Sequence, residues 1–250
     1  MNIRSASSWS MFIAAIALIL SQLPPVTHWM PEKKLKGAIA TRLALSSTLG
    51  FINYGINLQI FNEGNRKVKI TNLDLELIDP SGHKKKYSGE SYNDFYYQNG
   101  IPVAYPIDFI TIDPNNSWSN QVNFVLPLTE EQDKFVNEVK LQVINDLTNK
   151  RQKTTIMTIN VMCEADKNIV DKACNYFTNN LSDQLSIGKY EAIVIAKDAS
   201  GSILFKTPFK FHLYDHHKKI IESQKDDLKY GIGILYPANS LKMASIRTEQ

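Results

Sequence analysis

The residues that could catalyse a reaction or bind a metal are few, and their spacing argues against both roles. His216 and His217 stand beside Asp215. Adjacent helical residues point about 100° apart, so the two imidazoles cannot share one metal ion. The pair is interpreted as a solvated helix start. No Gly-x-Ser-x-Gly motif is present, and the neighbouring carboxylates Asp226 and Asp227 fit an exposed helix surface. The sequence therefore predicts a protein that is not an enzyme and has no cofactor or metal.

The two cysteines are predicted to be structural. Cys163 is in phase with the apolar residues of a predicted strand, and Cys174 lies on the apolar side of a predicted helix. We expect both to face the core as free thiols. A Cys163–Cys174 disulfide is the alternative, and it would require an oxidising compartment. The spacing does not support zinc, because there is no Cys-x-x-Cys pair and no nearby His.

The segment from Tyr87 to Tyr105 holds the candidate binding residues. Aromatic residues are interleaved there with Ser, Asn, Asp and Gly. Aromatic rings supply contact area at a small entropic cost, and the polar residues supply adaptable hydrogen bonds. The competing interpretation is that alternate tyrosines only cover the edge of a sheet. The candidate partner-binding residues are Tyr92, Phe95, Tyr96, Tyr97 and Tyr105.

The elements that would position these residues are mostly strands. Apolar and polar residues alternate over 56–60, and turn residues follow at 62–65 and again at 79–82. The apolar phase changes near 71–72, which predicts a β-bulge that keeps one face apolar. Ile107, Phe109 and Thr111 predict the inward face of a further strand. Short strands joined by Pro, Gly and Asn turns favour an antiparallel sandwich.

Helical patterns appear after residue 128. Thr129 and Gln132 have the spacing of a capping box, and apolar residues recur at helical spacing over 135–147 and again over 169–181. Strands are predicted over 190–197 and 203–213, and Asp215 is expected to cap a last helix that ends near Gly231. Residues 32–128 are thus assigned to a β-sandwich. Residues 129–250 either continue that sandwich or form a second small β-rich domain.

Residues 1–31 form a predicted membrane anchor. Trp9 and Trp29 bracket about 20 mainly apolar residues, including Phe12, and this is the length of helix that crosses ~30 Å of hydrocarbon. A cleaved secretory signal is the alternative, but no Ala-x-Ala-like site follows the run. Basic residues after the span, Lys33, Lys34, Lys36 and Arg42, favour a cytoplasmic C-terminal domain, and the periplasmic orientation stays open.

A resemblance follows from two segments, Ser21–Pro25 at the end of the apolar run and Leu58–Val68. The chain resembles bacterial single-pass membrane proteins with an immunoglobulin-like β-sandwich, over residues 10 to 126. The resemblance implies a location in the bacterial inner membrane and no established activity. The expected fold class is mainly β with helical insertions, an N-terminal transmembrane helix being followed by an antiparallel immunoglobulin-like β-sandwich.

Charge and composition narrow the expected partners. The formal net charge is +3 and the charges of both signs are interspersed, which argues against a nucleic-acid partner. The expected function is a membrane-tethered protein-binding or interaction module, with the lipid bilayer and an unidentified protein as partners. The alternative is a structural or assembly subunit of a bacterial membrane or envelope complex, in which the Ala-rich residues 11–20 pack against partner helices.

Overall fold

The structure is a computed structural model that describes residues 13, 14, 16, 18, 34–98, 101–153, 163–235 and 243–249, with the backbone alone at 94–98, 101–103 and 151–153. The strands are β1 Leu35–Thr48, β2 Phe51–Asn62, β3 Val68–Ile70, β4 Asn72–Ile78, β5 Lys84–Gln98, β6 Ile101–Pro106, β7 Ile110–Ile112, β8 Ser117–Val125, β9 Gly188–Lys197, β10 Ile203–Leu213 and β11 Ala244–Glu249. The helices are α1 Glu130–Lys153, α2 Lys167–Gln184 and α3 Asp215–Ser223, which continues into a 3₁₀ helix, Gln224–Tyr230.

Eight strands form a closed antiparallel barrel in the order β4-β9-β10-β11-β1-β2-β8-β5. The ring closes because β4 pairs with β9 along one edge and with β5 along the other. The predicted immunoglobulin-like sandwich is therefore wrong, since a sandwich consists of two sheets with separate edges. Barrels and sandwiches both alternate inward apolar with outward polar residues. The alternation that predicted the strands could not distinguish the two architectures.

A separate two-stranded sheet, β3 paired with β7, packs its buried side chains onto the core. The predicted bulge near residues 71–72 is wrong, because the chain leaves this small sheet at Ile70 and enters the barrel at Asn72. The prediction that Phe109 and Thr111 face inward is also wrong. Ile110 and Ile112 are buried, whereas Phe109 is 54% exposed and lies under the ammonium group of Lys69, 4.0 Å from its ring centre.

Helical elements pack against the barrel at the β1–β2 turn. The side-chain oxygen of Gln224 accepts hydrogen bonds from the backbone N–H and the hydroxyl of Ser47, at 2.9 and 3.0 Å. The side-chain oxygen of Gln184 accepts one from the N–H of Ile52, at 3.1 Å. These buried glutamines hold the 3₁₀ helix and α2 to the first two strands. The capping box predicted at Thr129 and Gln132 is confirmed by two reciprocal hydrogen bonds.

The barrel interior is rich in aromatic side chains. Tyr54 and Tyr87 meet edge to face with ring centres 4.9 Å apart, and Tyr190 stacks on Phe211 at 4.8 Å. Burial raises the pKa of Tyr87 and of Tyr190 to about 12. The Tyr190 hydroxyl donates to the Ser186 carbonyl at 2.8 Å, so this polar group is satisfied inside the core.

The described residues do not support the predicted N-terminal anchor. Trp9, Phe12 and Trp29 lie outside the described residues. Among the residues that are described, no helix combines the length and the apolar character that a bilayer crossing requires. This finding contradicts the predicted transmembrane helix and signal anchor, and the single-pass location in a bacterial inner membrane is withdrawn. The predicted cytoplasmic orientation of the C-terminal domain depended on that span and is withdrawn as well.

Candidate interaction surface

The Tyr-rich segment forms a ribbon of two strands that leaves the barrel. Strand β5 pairs with β4 and then with β8, and the pairing is offset by one residue between Gly89 and Ser91. The last β5–β8 pair joins Asn93 to Gln121. Beyond that pair, β5 and β6 are paired only with each other in the described part of the chain. We call the paired segments 91–98 and 101–106 the ribbon.

Three aromatic side chains meet where the ribbon joins the barrel. Tyr92 lies directly opposite Tyr105, and their rings stack with centres 5.7 Å apart. Tyr92 also meets Trp118 of β8 edge to face at 5.6 Å. Contacts of this kind are each worth ~0.5–1.5 kcal/mol beyond the area they bury. Tyr92 and Trp118 are half-buried, whereas Tyr105 is 44% exposed. We call these three residues the aromatic base.

A ladder of polar side chains fixes the root of the ribbon on the opposite face of the sheet. The amide of Asn93 donates to the side-chain oxygen of Gln121 at 2.9 Å. The amide of Asn123 donates to the Ser91 hydroxyl at 3.1 Å and to the side-chain oxygen of Asn93 at 3.2 Å. Strands β5 and β8 are thus tied by side chains as well as by their backbones. The aromatic base stands on a rigid support.

The outer strand of the ribbon is poorly suited to pairing with another strand. Strand β6 contains Pro102 and Pro106, and proline has no backbone N–H to donate. Natural proteins use proline in this way to protect exposed sheet edges. Recognition at the ribbon would therefore use side chains rather than added backbone hydrogen bonds.

The structure brings together some of the predicted binding residues and leaves others undescribed. Tyr92 and Tyr105 meet in the aromatic base. The backbones of Phe95, Tyr96 and Tyr97 lie in β5, but their side chains are outside the described residues. Trp118 was not among the candidate binding residues predicted from the sequence. Its role depends on strand register across β8, which one sequence does not reveal.

A second cluster, dismissed in the sequence analysis, lines an open cleft of about 790 Å³ on the outer barrel wall. His212 of β10 stacks on Tyr214 with ring centres 4.2 Å apart, and Tyr214 stacks on His216 at 5.7 Å. Arg42 and Arg247 line the same cleft from β1 and β11. Among the described residues, no group of three or more His, Cys, Asp or Glu side chains is arranged to hold a metal ion, in this cleft or elsewhere.

Cys163 and Cys174 are not joined by a disulfide, as the sequence favoured. Both are half-buried against the core rather than fully buried within it. Burial raises the pKa of Cys174, whose sulfur lies 3.9 Å from the Lys225 carbonyl. A raised pKa keeps the thiol protonated and unreactive at neutral pH.

Comparison with known proteins adds no candidate role. No family model matches the chain, and no curated protein is detectably similar to it. The case for a function therefore depends on the geometry of the chain itself.

Proposed function

We propose that this protein is a non-enzymatic protein-interaction module that contacts its partner through the aromatic base of the ribbon. The supporting observation is that Tyr105 is exposed to solvent while Tyr92 stacks on it and Trp118 in turn contacts Tyr92. A large aromatic ring that is already held in place loses little entropy when a partner covers it. Tyrosine and tryptophan are also enriched among the residues that dominate binding energy.

The architecture around the aromatic base favours a protein partner. The ribbon extends beyond the last β5–β8 pair, and Ala104, Tyr105 and Pro106 at its root are exposed to solvent, where another protein could cover them. The ladder formed by Ser91, Asn93, Gln121 and Asn123 limits movement at the root. A rigid support lowers the ordering cost that association would otherwise carry.

The proposal is tested by photocrosslinking in the source cells. A photoreactive phenylalanine analogue at position 105 should form one discrete protein adduct. The same analogue at Leu141 of α1, which is 59% exposed, should not form that adduct. Equal labelling from both positions, or no adduct at position 105, would refute the proposal.

Affinity provides the second measurement, once the adduct has been identified by mass spectrometry. Tyr105→Ala should weaken binding of the identified partner at least tenfold, about 1.4 kcal/mol, as expected when a central aromatic contact is truncated. The melting temperature should fall by only about 1–5 °C, because Tyr105 is partly exposed and the variant loses one ring contact. Leu141→Ala is the matched control and should leave the affinity unchanged.

A further inference from the structure

Two arginines from neighbouring strands line the cleft on the outer wall. Arg42 of β1 and Arg247 of β11 are directly opposite one another in an antiparallel pair, and both are exposed. Neither forms an ion pair with a carboxylate of the described residues. Like charges directly opposite each other destabilise a sheet. The fold therefore tolerates an unfavourable pair at this position.

Lysines on other strands of the barrel form ion pairs with acidic residues. Lys210 pairs with Glu191, and Lys84 pairs with Glu76 at 2.7 Å. Lys197 contacts Asp74 at 2.8 Å. Acidic residues on neighbouring strands thus neutralise these three lysines, whereas the two arginines stand opposite one another.

The groups that face the arginines are mostly further hydrogen-bond donors. His212 comes from β10, Ser245 comes from β11, and His216 comes from the first turn of α3. Glu249 is the acidic residue among the described lining residues, and Asp215 beside the cleft is already paired with Lys219 at 2.6 Å. The cleft therefore carries two permanent positive charges against one negative charge, before any histidine is protonated.

We infer that this cleft binds the phosphate group of a small phosphorylated molecule. Guanidinium groups offer planar, paired donors that match phosphate oxygens, and the two arginines exceed the single negative charge of Glu249, so the cleft favours an anion. The stacked rings of His212, Tyr214 and His216 provide an aromatic shelf for the organic part of the ligand. The cleft volume of about 790 Å³ is within the usual range for small-molecule sites.

The inference is independent of the proposed interaction through the ribbon. The cleft is formed by β1, β10, β11 and the start of α3, whereas the aromatic base is formed by β5, β6 and β8. Loss of one activity can therefore be separated from loss of the other.

The test uses inorganic phosphate and pyrophosphate as probes, by calorimetry and thermal melting at low and constant ionic strength. Pyrophosphate should bind saturably and raise the melting temperature. Arg42→Gln and Arg247→Gln should each weaken binding at least tenfold. Arg66→Gln, which removes an exposed arginine outside the cleft, should not change it.

A readout without ligand distinguishes a binding site from a structural feature. Each of the two cleft variants should melt about 1–3 °C higher than the unsubstituted protein, because the opposed charges no longer repel. A lower melting temperature would assign the arginines a structural role and overturn the inference. Absence of saturable binding, equal weakening by Arg66→Gln, or equally tight binding of malonate would also overturn it.

Discussion

His217 illustrates how a single protonation state can hold a helix end in place. Its side chain is 7% exposed, and its Nδ1 accepts a hydrogen bond from the backbone N–H of Tyr214 at 3.2 Å. That bond requires an unprotonated Nδ1. Burial lowers the pKa of His217, and the neighbouring His216 and His212 lower it further. The neutral form is therefore favoured in the folded protein.

The lowered pKa of His217 makes stability depend on pH. The unfolded chain takes up a proton near the ordinary histidine pKa of about 6.5, before the folded protein does. The contribution of His217 is thus fully present above about pH 6.5 and is lost as the pH falls through its folded pKa. Between pH 7.5 and 5.5, the free energy of unfolding should fall by about 1 kcal/mol more in the unsubstituted protein than in His217→Gln.

Urea unfolding at the two pH values measures this difference. Gln at position 217 can still accept the Tyr214 N–H, but it does not titrate. His83→Gln is the control, since His83 is exposed and lies in the β4–β5 turn. Identical pH dependence of His217→Gln and the unsubstituted protein would show that this histidine does not set the acid response.

At the scale of elements, the β1–β2 turn shows why one glycine is required. Leu49 and Gly50 have φ values of 48° and 86°, the left-handed values of a tight hairpin turn. A Cβ on Gly50 would lie 2.3 Å from the carbonyl oxygen of Phe177 in α2. The turn is thus restricted both by its own backbone and by the helix packed on it.

Gly50→Ala should therefore be far more damaging than alanine at a glycine with open surroundings. Gly82 has a similar φ of 85°, but a Cβ there would meet nothing within 4 Å. Gly82→Ala should cost about 1–2 kcal/mol from backbone strain alone. Gly50→Ala adds the clash and should cost about 3 kcal/mol or more. Chemical denaturation measures both values, and equal costs would contradict the role assigned to the Phe177 contact.

Local chemistry made some elements predictable from the sequence. The capping box at Thr129 and the turn at Asp79–Gly82 depend on residues a few positions apart, and both form as expected. Which strand a given strand pairs with does not depend on neighbouring residues in the sequence. The phase change at Thr71 was interpreted as a bulge because alternation reveals which face is apolar, not which sheet a strand joins. The cleft was missed for the same reason, since Arg42 and Arg247 meet only through strand pairing.

At the scale of the whole molecule, the barrel and the ribbon should differ in stability. Every strand of the closed ring has hydrogen-bonded neighbours on both sides, whereas a two-stranded ribbon is only marginally stable. Local openings should therefore be confined to the part of the ribbon beyond the Asn93–Gln121 pair. The aromatic base at the root, where β5 still pairs with β8, should stay in place.

Hydrogen exchange along β5 tests this difference within one strand. Amides of Ser88–Asn93, which pair with β8 and partly with β4 or β6 on the other side, should exchange mainly through global unfolding and should accelerate with denaturant. Amides of Asp94–Gln98, which lie in the ribbon, should exchange faster and with little dependence on denaturant. Mass spectrometry of peptides from the two segments reports both rates. Uniform protection along β5 would contradict a loosely held ribbon.

Closure of the barrel by β11 sets the order in which the chain can fold during synthesis. Strand β1 is made early, but one of its edges has no partner until Ala244–Glu249 follow roughly 200 residues later. At ~5–20 residues per second, the ribosome leaves that edge open for roughly 10–40 s. Unpaired edges are templates for aggregation. Chaperones at the ribosome therefore have a defined target in the nascent protein, the open edge of β1, until the last strand of the ring emerges.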